Sequence, residues 1–291
     1  MAQKFISSTN FGFRVEAAPS FMQLPDGSFV KDGFTVNRRA DNMAVLGKVT
    51  DRYGLVQNDE LINAAEDAFA SHGLTDYSRK IVVSGQGAKM YAVYDFRSRV
   101  KKLSKVGDEM GLRLTVQNSF DGSLRASFLA GLLRLICANG MVAMKSEIGM
   151  TSKHGSKISL AFVQDALAKA VTAWDASLFT FDRLASVKVT QLEGSLILGN
   201  LAESKVLSGA LLEGVAGVWA APTYAADSDR NLFNLYNALT QHLTHEVETD
   251  RFELANRVSA NVLARLDAAS RDAGKLAKLV AAPVIDVQVV G

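Results

Sequence analysis

Apolar residues alternate with polar ones through much of the first 157 residues and recur every third or fourth position beyond them. No single regular element satisfies both periods, so the chain must build strands first and helices second. That order predicts an α+β protein, not one of alternating βα units. The expected architecture is a strand-rich N-terminal half with a mixed or antiparallel sheet, followed by a helical C-terminal half. Three stretches are expected: an N-terminal arm over residues 1–35, a basic strand-rich half over 36–157, and a helical half over 158–291 packed on it as one continuous unit.

The turn sequence Leu24-Pro25-Asp26-Gly27-Ser28 can join two short strands, Phe21–Leu24 and Phe29–Lys31, or belong to an arm that packs on a neighbouring subunit. Val45–Thr50 and Tyr53–Gln57 read as a hairpin. Asn58 is expected to cap a helix with Leu61, Ala64, Ala65, Ala68 and Phe69 on its apolar face, ending at His72 and Gly73. Lys80–Ser84 and Lys89–Phe96 flank the turn Gly85-Gln86-Gly87. Gly111–Gln117 and Leu124–Phe128 flank a linker containing Asp121-Gly122, a strong hairpin signal. Leu132–Ala138 is an apolar run that periodicity leaves open between strand and helix.

Four helical segments follow: Ser159–Trp174, a Leu/Ala-rich stretch Leu192–Ala220 broken by glycines, Asn231–Thr244 and Arg251–Ser270. Ser228 or Asp229 is expected to cap the third, and Thr249 or Asp250 the fourth. Val284–Val290 reads as a returning strand.

Hydrophobic residues make up 48% of the 291 and charged residues 21%, a globular balance long enough for a sizeable core without staples. The lone cysteine, Cys137, excludes an intramolecular disulfide and a multi-thiolate zinc site. No targeting segment and no membrane-length apolar run is visible, so a soluble, cytoplasmic protein without a membrane partner is expected.

The net charge of +2 conceals an asymmetry. Through Lys157, 21 lysines and arginines face 15 acids, a balance of +6; the remainder has 11 against 15, a balance of −4. Arg97, Arg99, Lys101, Lys102 and Lys105 fall together with no acid among them. Lys145, Lys153, His154 and Lys157 form a second basic stretch. Clustered positive charge is the footprint of phosphate contact. Its bland alternative is a solvated loop.

Three segments carry a family resemblance. They are Leu46 to Asn58; Asn118-Ser119-Phe120-Asp121-Gly122-Ser123 with Leu133-Arg134-Leu135-Ile136-Cys137-Ala138-Asn139-Gly140; and Asn237-Ala238-Leu239-Thr240-Gln241-His242 with His245. Together they resemble the phage/plasmid-like family catalogued as domain of unknown function 932, over about residues 34–265. Phe120 stands where that family usually has histidine. The resemblance implies a mobile genetic element in a bacterial cytoplasm and no established activity. The order of elements is also similar to that of phage single-strand annealing proteins of the Rad/Sak/Erf kind, which form rings around a basic groove. That similarity rests on element order and a basic patch, not on identities.

Non-specific binding of single-stranded nucleic acid is therefore the leading expectation, with Arg97, Arg99, Lys101, Lys102, Lys105, Lys153 and Lys157 meeting phosphates and the chain forming a homo-oligomer. The alternative is an oligomeric structural or host-interaction protein that binds no nucleic acid. A third reading is an enzyme using His154 with Cys137 or Asp121. No catalytic residue is assigned. A polar site over Asn118, Asp121, Arg134, Asn139 and His154 is weighed against a hairpin turn and a structural ion pair. A charge at Arg134 among Leu132, Leu133, Leu135 and Ile136 needs a carboxylate or a phosphate. The Ser152–Lys157 loop can hold a phosphate but lacks the Walker spacing. His242 and His245 share a helix without a third metal ligand, so no metal or cofactor is expected. Trp174, Trp219 and Tyr236 read as core; Tyr53, Tyr91 and Tyr94 are stacking candidates if exposed.

Overall fold

The computed structural model describes residues 11–134, 139–141, 160–245 and 252–282. The chain divides into two compact units. Of the described residues, the first holds 11–100, 111–131 and 160–174; the second holds 101–110, 132–134, 139–141, 175–245 and 252–282. The α+β expectation holds, with antiparallel sheets early in the chain and helices later.

In the first unit, β1 (Val15–Gln23), β2 (Phe29–Arg39) and β3 (Val45–Thr50) form an antiparallel sheet in that order. The turn at Leu24–Ser28 forms as expected. Gly27 takes a φ of +86°, and the Asp26 carboxylate accepts bonds from the Ser28 amide and hydroxyl. The strands it joins are longer than expected, and β2 runs on through residue 35.

The partner of β3 differs from expectation: it is β2, not Tyr53–Gln57. Side chains occupy the polar groups around that segment. The Tyr53 hydroxyl donates to the Ser119 carbonyl at 2.6 Å. The Gln57 amide pairs with both Val15 backbone groups, at 3.0 and 2.9 Å. Asn58 is likewise no cap. It opens α1 (Asn58–Ser71), and its side-chain oxygen accepts from Asn118 instead. Asp59 and Glu60 do sit in the positive first turn, and the helix ends at His72 and Gly73, whose φ is +67°.

β4 (Ser78–Ser84), β5 (Lys89–Lys102), β6 (Glu109–Ser119), β7 (Ser127–Arg134) and β8 (Asn139–Met141) form a second sheet in chain order. The Gly85–Gly87 turn sets β4 against β5 with Ser84 opposite Lys89. The apolar run after Gly131 is thus strand through Arg134. Phe69 of α1 is the centre of this unit's core. Its ring meets Tyr94, Phe96 and Phe128 edge-on at centroid distances of 4.9, 5.3 and 6.3 Å, laying the helix on the sheet. The linker between β6 and β7 crosses β3. Asn37 donates to the Phe120 carbonyl at 2.7 Å, and Gly47 leaves the space that the Asp121 backbone fills.

α2 (Leu160–Ser186) runs well past the expected end at Trp174. Beyond it lie α3 (Gln191–Glu203), α4 (Gly209–Ala220), α5 (Leu232–His245), α6 (Phe252–Arg271) and α7 (Ala273–Val280). Glycines do not break the Leu192–Ala220 stretch. The break falls at Ser204–Ser208, where Lys205 turns with a φ of +59°. Gly194 and Gly214 stay inside helices because a β-carbon there would strike the rings of Trp219 and His242. They are close-approach positions between helices.

Asn231, not Ser228 or Asp229, caps α5 through a 2.8 Å bond from the Asn234 amide. Thr190 and Glu193 form a reciprocal capping box on α3, and Asp272 caps α7, a helix the periodicity does not reveal. Phe181 packs against Phe233 and Tyr236, each at a centroid distance of 5.8 Å. Trp219 is buried in the same unit and Trp174 in the first. Thr249, Asp250 and Val284–Val290 lie outside the described residues.

These glycines give an opposed pair of outcomes. Gly47→Ala should lower stability by about 1–3 kcal/mol, because the Asp121 backbone must shift. Gly199→Ala, at an open position in α3, should raise it by roughly 0.5–1 kcal/mol. Urea unfolding of both variants checks the pair; a tolerated alanine at 47 contradicts the crossing.

Candidate functional site at a buried arginine

Arg134 ends the described part of β7 with no exposed surface. A guanidinium keeps its charge at any ordinary pH, so such burial demands acceptors. Two carboxylates of the same unit supply them. Asp108 lies just ahead of β6, in a turn closed by bonds between Leu103 and Asp108 and between Gly107 and Leu103. Arg134 Nε donates to Asp108 Oδ2 at 2.7 Å, and Nη2 lies 2.6 Å from the same oxygen. Asp227 closes a single helical turn, Ala225–Asp227, before α5. Arg134 Nη1 reaches both its oxygens, at 2.7 and 2.9 Å.

A layer of asparagines fixes Asp227. Asn237 donates to Asp227 Oδ1 and to Asn234 Oδ1, both at 3.1 Å, and Asn234 donates to the Asp229 carbonyl at 2.8 Å. The Phe233 ring lies 5.7 Å from the guanidinium carbon. The cluster thus holds one cation and two buried carboxyl groups. Burial pushes the Asp108 carboxyl above its ordinary value. Arg134 opposes that shift and the neighbouring Asp227 charge reinforces it. A shallow depression lined by Val218, Trp219, Pro222, Asn234, Ala238 and Gln241 reaches Asp227.

With Nε and Nη1 donating to carboxylates and Nη2 close to Asp108, the surroundings of Arg134 are those of a structural ion pair. Asn118 is also structural. It is buried and donates to the Val56 carbonyl and to Asn58 Oδ1, at 3.0 and 2.9 Å. Asp121 Oδ1 accepts from the Ser123 amide and hydroxyl of its own turn. Asn139 pairs with Arg134 in the β7–β8 ladder. Cys137, Lys145, Lys153, His154 and Lys157 lie outside the described residues.

The other candidates separate by exposure. Arg97, Arg99, Lys101 and Lys102 lie on β5, a strand where a solvated loop was the bland expectation, and Lys105 lies in the turn after it. Lys101 is paired with Asp175. Tyr91 and Tyr94 are buried, so neither offers a ring for stacking; Tyr53 is half-buried with its hydroxyl engaged by the Ser119 carbonyl. The His242 ring packs over Gly214. Among the described residues no cluster of histidine, cysteine and carboxylates is arranged to hold a metal ion, and no helix is long and apolar enough to cross a membrane.

A family model described as a domain of unknown function, DUF932, matches residues 45–277. The chain belongs to this family. All three members of the Arg134 cluster fall within the DUF932 match. No curated protein and no solved structure matches the chain, and the similarity to annealing proteins is not confirmed.

Sequence reasoning singled out Arg134 but missed Asp108 and Asp227, which lie 26 and 93 positions away with no local signal. Arg134→Met should cost about 3–5 kcal/mol, because it strands two buried carboxyls. A carboxyl whose folded-state pKa is raised favours folding at low pH, and that contribution is lost as pH rises through the raised value. The Arg134→Met variant should therefore gain stability more steeply than the parent chain as pH falls toward the ordinary carboxyl range. Equal pH slopes in urea titrations would contradict the assignment.

Proposed function

We propose that this DUF932 protein binds single-stranded nucleic acid without sequence preference, through the cations of the 97–105 segment. One observation carries this reading. Arg99, Lys102 and Lys105 are exposed and have no carboxylate within ion-pair distance among the described residues, whereas Arg14, Arg38, Arg39, Lys48, Arg79 and Arg113 are each paired. Uncompensated exposed cations are the groups that gain most from replacing the counterions of a polyanion. Lys153 and Lys157 belong to the proposal by charge alone. Its biological setting would be a phage or plasmid in a bacterial cytoplasm, in annealing, recombination or protection of exposed strands.

Because Tyr91 and Tyr94 are buried, base stacking on them contributes nothing and the binding is mainly electrostatic. It should weaken steeply with salt. Anisotropy of a labelled oligonucleotide of about 30 nucleotides tests this across a salt series. Substituting Arg99, Lys102 and Lys105 together by glutamine should weaken binding at least ~10-fold at low salt. It should also flatten the log–log salt slope by about 2, at ~0.7 for each phosphate no longer neutralised. No binding by the parent chain at low salt, or an unaltered variant, would sink the proposal.

A further inference from the structure

From Glu16 to Val36 no residue is buried. This stretch is most of β1 and β2 with their turn. A two-stranded ribbon that buries none of its residues is marginal in water by itself. This one is nonetheless strongly apolar. Phe29 is 66% exposed, Met22 55% and Phe21 50%, with Val30 and Phe34 also exposed.

The register sorts these side chains. Met22 stands directly opposite Val30. Phe21 faces Lys31 and Gln23 faces Phe29, which puts Phe21 and Phe29 diagonally adjacent on the other face. Val15 at the start of β1 is buried, and burial is lost along the strand beyond it.

We propose that the distal β1–β2 hairpin is the surface by which two copies of this chain associate. Three observations select a second copy as the occupant. The first is area. Taking ~200 Å² for a fully exposed large side chain, the five residues present roughly 500 Å² of apolar surface summed over the two faces of the ribbon. That is about the apolar share of one side of a standard interface of ~800 Å² per partner.

The second is charge. The hairpin and its neighbour carry Asp26 and Asp32 against Lys31 and Lys48, with Lys48 bonded to Asp32 at 2.6 Å. A balanced surface has no field to attract a polyanion and none to repel its own copy. The third is the strand edge. Pro19 and the register shift between Pro19 and Phe21 blunt β1 against strand addition. Contact through the two faces of the ribbon is thereby favoured over open-ended edge pairing, and a two-fold arrangement closes it. This surface is independent of the cations proposed to meet nucleic acid.

Light scattering of the full chain over about 1–100 µM tests the proposal, since association follows mass action. The parent chain should show at least twice the monomer mass at the upper end. Phe21→Ser with Phe29→Ser should return it to monomer, Phe21→Leu with Phe29→Leu should retain the assembly, and Leu192→Ser, at an exposed leucine of α3, should change nothing. Hydrogen exchange of the parent chain supplies a readout without substitution: amides of residues 16–36 should gain protection as concentration rises. A monomeric parent chain, concentration-independent exchange, or an unchanged mass in the serine variant would overturn it. So would a serine variant that keeps its mass but loses oligonucleotide binding, which would make the hairpin a base-stacking platform.

Discussion

A buried guanidinium that cannot lose its charge sets the terms for the helical unit. Arg134 forces Asp108 and Asp227 to fixed positions, although one precedes β6 and the other precedes α5. Two carboxyls around one cation leave an excess of negative charge. The raised Asp108 carboxyl and the Asn237 donor to Asp227 are the two ways this site relieves it. An apolar residue would fill the same volume without the penalty of desolvating a charge. What the ion cluster adds is register, since Asp227 enters with the turn before α5 and Asp108 with the turn after Leu103. A shift of either element would leave a buried charge unmatched.

The first unit uses neutral side chains for the same purpose. Asn37, Tyr53, Gln57 and Asn118 each bond to backbone groups far along the chain, at Phe120, Ser119, Val15 and Val56. Backbone that leaves a ladder must find partners elsewhere if it is buried. These amides and the phenol provide them. They let the 53–57 segment run as irregular chain, while Gly47 supplies the clearance for the Asp121 backbone over β3.

Local patterns in the sequence disclose what local physics decides. The Leu24–Ser28 turn, the Gly85–Gly87 turn, the Gly73 helix end and the strand-then-helix order all follow from neighbours in the chain. The errors come where a distant partner overrides a local preference. Asn58 has the chemistry of a cap but gives its oxygen to Asn118. Gly194 and Gly214 look like helix breakers until Trp219 and His242 are placed over them. At the candidate site the same division holds. Arg134 is conspicuous as a lone charge in an apolar run, whereas nothing near Asp108 or Asp227 marks them as its partners. The Asp121 loop had a functional and a turn reading, and its bonds to Ser123 are those of the turn.

The charge asymmetry between the halves has an internal component that a count cannot show. Arg134 and Lys101 belong to the basic half of the sequence, yet they lie in the second unit and pair there with Asp227 and Asp175 of the acidic half. Part of the asymmetry is therefore used within the fold and is closed to any partner. Within the first unit, Arg14, Arg38, Arg39, Lys48, Arg79 and Arg113 are matched by acids of the same unit. Setting these pairs aside leaves the surplus unchanged but assigns it to fewer groups, Arg99, Lys102 and Lys105 with Lys31 and Arg52 among the exposed cations of the described basic half. A polyanion responds to uncompensated charge rather than to net charge. The surplus that remains after pairing is thus the physically relevant one, and it coincides with only part of the basic run read from the sequence.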